Sequence, residues 1–266
     1  MIAASVGNVL VWAVWILAAF ACLGSGVAVV SFSNPFYSAL ALIGNLGSLA
    51  VLYLLLSSEF VAAAQVLVYA GAVMVMFLFV IAYVDPRMES PWAGGPGWQA
   101  IGAVLAAAAL LVEIIVVIGL NAGGSLAHSH DVGASFGSPS YIGRLFLTDH
   151  LLAFAAIRGG SRAAVNGPNI TWYLGVAGFL FGVGALGVLL RRNPLIVLLS
   201  LEIMLNGANL ALITFARHLD NGDGQIFALA VMAVAASEVV VGLGLIVAVN
   251  RRKLELDVDK LSTLRG

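Results

Sequence analysis

Phe60-Val-Ala-Ala-Ala-Gln-Val-Leu-Val-Tyr-Ala-Gly-Ala-Val-Met-Val-Met-Phe-Leu-Phe79 runs for twenty residues without one charge. A helix needs about 20 apolar residues to cross the hydrocarbon core of a bilayer. This stretch therefore reads as a membrane span. Small residues gather early in it and bulky ones late, with Gln65, Tyr69 and Gly71 near the middle. Small residues let helices approach closely. A buried tyrosine hydroxyl needs a partner, and a glycine beside it weakens the helix locally. The middle of the span is thus a candidate hinge or π-bulge, though periodicity does not separate that from ordinary helix packing.

Outward from this stretch the pattern repeats. Seven segments have the length and apolarity to span, near residues 9–31, 36–57, 60–84, 99–120, 172–190, 194–216 and 225–249. The expected fold class is all-α, a polytopic integral membrane protein. Composition agrees: 62% of the 266 residues are hydrophobic and 9% are charged, with a mean hydropathy of +1.07, whereas soluble domains carry about 25% charged residues. The net charge of −1 gives no electrostatic reason to expect nucleic acid as a partner. The lone cysteine, Cys22, reads as a small buried hydrophobe. The first apolar stretch, Val9 to Val30, exceeds the about 7–15 residues of a secretory signal core and lacks a basic segment before it, so it reads as a retained helix.

The connections carry turn chemistry. Asn34-Pro35 and Asn193-Pro194 each open a helix, where the missing proline N–H costs nothing. Asp85-Pro86 and the run from Trp92 to Gly97 form a loop. Residues 121–171 are rich in Gly, Ser, Asn and His and contain no span, although Tyr141 to Ile157 fits a short helix at the membrane surface. The expected organisation is a membrane module over 1–154, a linker over 155–171 and a second membrane module over 172–266.

With seven spans the loops alternate between two sides. Arg87, Arg191, Arg192, Arg251, Arg252, Lys253, Lys260 and Arg265 fall on one; Arg144, Arg158, Arg162 and Arg217 fall on the other. The bias of basic residues toward the cytoplasm places the C-terminus inside and the N-terminus outside. His128 and His130 fall in an outside loop without further ligands nearby and read as solvated.

Two acids break the apolar pattern of the second half. Glu202 stands in Leu-Leu-Ser-Leu-Glu-Ile-Met-Leu-Asn and Glu238 in Val-Ala-Ala-Ser-Glu-Val-Val-Val-Gly, both near the middle of their segments. A charge at a helix centre costs about 2.5–3.5 kcal/mol even on the lenient insertion scale. Desolvation disfavours the ionised carboxylate, and a glutamate tuned toward neutrality can take up and release a proton, as a relay requires. The bland reading has each glutamate protonated and hydrogen-bonded to a neighbour such as Asn206 or Asn209. For a pair on adjacent helices the functional reading is the stronger. Glu113, alone in the fourth span, fits snorkelling or packing as well as function. Glu59 begins the third span, where an acid is inexpensive and suits a helix N-terminus. There is no phosphate loop, metal spacing or nucleophile with a base.

These residues carry a resemblance. Trp172 to Gly266 closely resembles the K subunit of proton-pumping NADH:quinone oxidoreductase, respiratory complex I, through Ile-Thr-Trp-Tyr-Leu, Leu-Leu-Arg191-Arg192-Asn193-Pro, Leu-Glu202-Ile-Met-Leu-Asn206 and Ala-Ala-Ser-Glu238-Val. Residues 1 to about 154 resemble the J subunit through Asn34-Pro35, Glu59-Phe60 and Gln65-Val-Leu-Val-Tyr69-Ala-Gly71-Ala-Val-Met. The resemblance implies that Glu202 and Glu238 belong to a proton path, that Arg191 and Arg192 lie on the cytoplasmic side, and that the helix holding Gln65, Tyr69 and Gly71, begun by Glu59, carries a π-bulge and gates water toward the glutamates. It also implies membrane-arm partners of the A, H, N, M and L types in a bacterial inner membrane. FMN, iron–sulfur clusters and quinone would then reside in other subunits, with no cofactor or metal in this chain.

One departure stands out. J subunits continue after a segment like Leu145 to Phe154 into a fifth membrane helix, whereas here Ala155 and then Arg158-Gly-Gly-Ser-Arg162 follow. Four J-like helices end outside, where the K-like module begins, so the fusion is topologically consistent. Two rival readings are a component of an Mrp-type cation/proton antiporter, which also contains J-like and K-like pieces, and a purely structural helical spacer.

Overall fold

The computed structural model describes residues 2–84, 138, 140, 168–220, 222–252 and 256–258. Its regular elements are all helical: α1 (Ile2–Ser31), α2 (Pro35–Leu55), α3 (Glu59–Ala64), a π-helix (Gln65–Val73), α4 (Met74–Val84), α5 (Ile170–Leu190), α6 (Pro194–His218) and α7 (Asp223–Arg251). α3, the π-helix and α4 run on as one rod, Glu59–Val84, the third span. The described residues contain six helices long and apolar enough to cross a membrane, not the seven expected. The expected span at 99–120, the surface helix at Tyr141 to Ile157, Glu113, His128 and His130 lie outside the described residues.

The helix ends follow from local chemistry. Asn34 accepts a hydrogen bond from the Phe36 N–H at 2.9 Å, and Asn193 accepts one from the Leu195 N–H at 2.9 Å. Each is followed by proline at the first helical position, whose fixed φ suits a helix start. α2 stops at a tight turn in which Ser57 takes a φ of 57°, and α3 begins two residues later with Glu59.

α5 and α6 form the most closely packed pair. A Cβ on Gly184 would fall 2.7 Å from the Ser200 carbonyl oxygen, and one on Gly207 would fall 2.7 Å from the Ala177 carbonyl oxygen. Only glycine lets the two backbones come this near, the small-residue packing that membrane helices use. α1 and α2 pack on this pair from one side. The third span lies against α2 and α7, and α6 also lies against α2 and α7, so α2, the third span, α7 and α6 close a ring of four helices.

The two modules meet in an aromatic seam and two arginine joints. Trp12 and Trp15 of α1 stack edge-on against Trp172 of α5, with ring centroids 6.2 and 5.7 Å away, geometries that aromatic quadrupoles favour. Arg191, buried just beyond α5, donates from Nε to the Val30 carbonyl at 2.7 Å and from Nη2 to Val30 and Phe32, the last of these at 3.2 Å. It thereby caps the C-terminus of α1, where carbonyls lack partners and the helix dipole attracts a cation. Removal from water lowers the pKa of this guanidinium. Arg217, in the last turn of α6, does the same for α2: Nη1 donates to the Leu55 carbonyl and to Ser57 Oγ, each at 2.9 Å. Near the Arg191 joint, the Val258 N–H bonds the Arg192 carbonyl at 3.1 Å and Leu256 is buried.

Candidate functional site

Glu202 sits on the face of α6 that packs inward and is 3% exposed. Its Oε2 finds no hydrogen-bond partner among the described residues, and neither does Asn206 Nδ2 one turn away. Asn206 therefore does not tie the carboxylate down. Asn209 Oδ1 is unpaired in the same way. Buried polar atoms in native structures are almost always satisfied, by protein or by water. The α6 interior thus presents a run of polar groups, Glu202, Asn206 and Asn209, that requires solvation from elsewhere.

Glu238 stands at the same depth on α7. A Cβ on Gly242 would meet Leu198, and one on Gly224 would meet Ala216. In both contacts the paired residue numbers have the same total as 202 and 238, so the antiparallel register of α6 and α7 sets the two glutamates level. They are close enough to interact electrostatically. Glu202 lies ninth of 25 residues in α6 rather than at its middle; α7 reaches further, to Arg251, so Glu238 falls near the middle of its own helix. Their exposures differ sharply. Glu238 lies on the outward face of α7, between exposed Val234 and Val241.

Tyr69 is 2% exposed, and its hydroxyl donates to the Met232 carbonyl of α7 at 2.9 Å. Met232 precedes Glu238 by six residues, which at 1.5 Å per residue places the tyrosine contact about 9 Å from the glutamates toward the start of α7. Its hydroxyl lies within electrostatic range of both acids. The helix around it is π-helical from Gln65 to Val73, the stretch where the sequence points to a hinge or a π-bulge. Gly71 is inside this stretch, and a Cβ there would come 3.4 Å from the Val66 carbonyl oxygen. Gln65 opens the stretch fully buried, with both amide atoms unpaired among the described residues. Glu59 is half-buried at the first turn of α3.

The ring of four helices therefore brings Gln65, Tyr69 and Glu202 inside, with Glu238 level with Glu202 but facing outward. Arg191 and Arg192 are not part of this cluster; they lie just before the first turn of α6. Three further groups belong to the picture. Gln225, fully buried near the start of α7, has an unpaired amide. The Met232 carbonyl receives Tyr69, and Asn45 of α2 donates to the Cys22 carbonyl at 2.7 Å. Only the polarity of Asn45 within an apolar run was visible in the sequence. Gln225 follows Asp-Gly at a helix start and looks like an ordinary interfacial residue, and a carbonyl acceptor leaves no trace in sequence. Among the described residues no three His, Cys, Asp or Glu side chains come together as a metal site would require.

Comparison with known proteins agrees over both halves. A family model described as NADH-ubiquinone/plastoquinone oxidoreductase chain 6 matches residues 25–158, and one described as NADH-ubiquinone/plastoquinone oxidoreductase chain 4L matches residues 172–266. The NADH-quinone oxidoreductase subunit K of Leptospira biflexa serovar Patoc is 44% identical over 101 residues, which cover 38% of this chain and 95% of that protein. The NADH-quinone oxidoreductase subunit K 2 of Rhizobium etli (strain CIAT 652) is 48% identical over 95 residues, 36% of this chain and 95% of that protein. The chain belongs to the membrane-subunit family of NADH-quinone oxidoreductase, with a chain 6, or J-type, module and a chain 4L, or K-type, module fused in one polypeptide.

Proposed function

We propose that this fused subunit passes protons through Glu202 and Glu238 as part of proton-translocating NADH:quinone oxidoreductase, and that the third span controls water between them and the outer half of the helix ring. The observation that carries the reading is the buried, unpaired carboxylate oxygen of Glu202 in register with Glu238 on the neighbouring helix. Glu202 accepts a proton from water on that oxygen and becomes neutral. It returns to the carboxylate when water carries the proton toward Glu238. Tyr69 holds the π-helix to α7 beside this route, and Gln65 offers its amide to the same water. Arg191 and Arg192 fix the cytoplasmic end of α6 and leave proton transfer to the acids.

Glu238 faces out of the chain at mid-membrane, and lipid is a poor neighbour for it. A polar face of an antiporter-like membrane subunit covers it in the assembled arm, with A-, H-, N-, M- and L-type subunits as the full set of neighbours. Flavin, iron–sulfur clusters and quinone are held by other subunits. The N-terminus lies outside and the C-terminus in the cytoplasm of a bacterial plasma membrane.

The test is Glu202→Gln in the assembled complex, with proton uptake into vesicles measured during NADH oxidation. The expected outcome is a loss of pumping of about tenfold or more, the effect of removing a proton-transfer group, with the complex still recovered intact. Normal pumping would remove Glu202 from the route.

A further inference from the structure

The π-helix divides the third span into an outer segment, α3, and an inner one, α4. A π-turn holds more residues than an α-turn. Any change of the stretch toward regular α-helix must therefore rotate one segment relative to the other about the helix axis. Which segment turns depends on which is held.

The outer segment is held. The turn before it, between α2 and α3, is packed around Leu56 and Ser58, which are 2% and 0% exposed. It is stitched by the Ser58 N–H to the Tyr53 carbonyl at 2.9 Å, with Ser57 in the left-handed region. Arg217 reaches from the last turn of α6 and bonds both the Leu55 carbonyl and Ser57 Oγ. A guanidinium offers several donors in a rigid fork, and hydrogen bonds to a charged group are the stronger kind. Among the described residues the inner segment has no such hydrogen-bonded fastening; it is held by apolar packing alone, through buried Met74, Phe77, Ile81 and Val84. Among the described residues no side-chain hydrogen bond reaches α4, and Val75, Met76, Phe79 and Tyr83 face outward at 40–73% exposure.

We propose that Arg217 is a positioning residue for proton translocation: it clamps the outer pivot of the third span to the helix that carries Glu202, so that refolding of the π-stretch turns α4 and leaves α3 in place. The motion is then delivered at the depth of the glutamates instead of being lost at the outer surface. The inference rests on the gating role given above to the third span.

The test uses the intact complex carrying Arg217→Gln. Hydrogen–deuterium exchange of the peptide covering the α2–α3 turn should rise about tenfold, the loss expected for a charge-assisted bond. Protons pumped per NADH oxidised should fall about twofold or more, while NADH oxidation by an artificial acceptor is unchanged. Arg217→Lys, which keeps one charged donor, should recover most of the ratio. A loosened turn with an unchanged ratio would overturn the proposal, as would a turn whose exchange does not change. Should Arg217→Gln fail to assemble, Ser57→Gly serves, because glycine accepts the φ of 57° and removes one of the two Arg217 contacts. A lowered ratio in that variant supports the clamp, and a normal one sinks it. Tyr69→Phe separates the two readings. Normal pumping there with impaired pumping in Arg217→Gln would overturn gating through Tyr69, whereas the reverse pattern would overturn the clamp alone.

Discussion

Removing the hydroxyl of Tyr69 takes away one bond, to the Met232 carbonyl, and almost no volume. That carbonyl lies within α7 and keeps its place in the helix, so the stability cost of Tyr69→Phe should be about 1 kcal/mol. A thermal-denaturation midpoint of the purified complex close to that of the parent is expected. Pumping should nevertheless fall, because the π-helix loses its tie to the helix bearing Glu238; parent-level pumping would show that the tie is only structural. At this scale the sequence reports residues whose chemistry is wrong for their surroundings. Glu202 and Glu238 were legible because an acid in an apolar run needs a reason, and Tyr69 because a hydroxyl does. Arg217 was legible only as a charge near a helix end. Its partners are the Leu55 carbonyl and Ser57, some 160 residues away in the chain, and such a pairing exists only once the helices have packed. The outward direction of Glu238 was hidden for the same reason, since α7 is apolar nearly all round.

Among the elements, α5 and α6 depend most on residue size. Gly184 leaves room for Ser200 and Met204 of α6, with the Met204 nitrogen 2.7 Å from where a Cβ would stand. Gly184→Val should force these backbones apart, move Glu202 out of register with Glu238 and prevent assembly, as read by loss of the complex from native gels. Recovery of a fully pumping complex would mean that the close approach is dispensable. Helix ends were readable to within about two residues wherever asparagine and proline mark them, as at Pro35 and Pro194. The π-stretch was readable as a weak point from the adjacency of Tyr69 and Gly71, but its nine-residue extent was not. Helical period alone does not separate the two kinds of turn.

For the molecule as a whole, the fusion adds little that packing does not already supply. Arg191 caps α1 on one side of the membrane and Arg217 caps α2 on the other, while α2 also lies along α6. Splitting the chain within 155–167, with both parts expressed together, should therefore yield an assembled, pumping complex, checked by co-purification of the two fragments with NADH:quinone reductase activity. Failure to pair would assign the docking to the covalent link. The composition of 121–171 led to the expectation of two modules and a linker, whereas the closed ring of α2, the third span, α7 and α6 was not legible, since helices of similar apolarity carry no label saying which neighbours they choose. The aromatic seam has an optical consequence. Trp12, Trp15 and Trp172 are three of the five tryptophans in the chain, and indole emission follows the polarity around the ring. The intrinsic fluorescence of the protein is thus weighted toward the junction of its two halves, and a spectral shift on detergent exchange would signal their separation without any added dye.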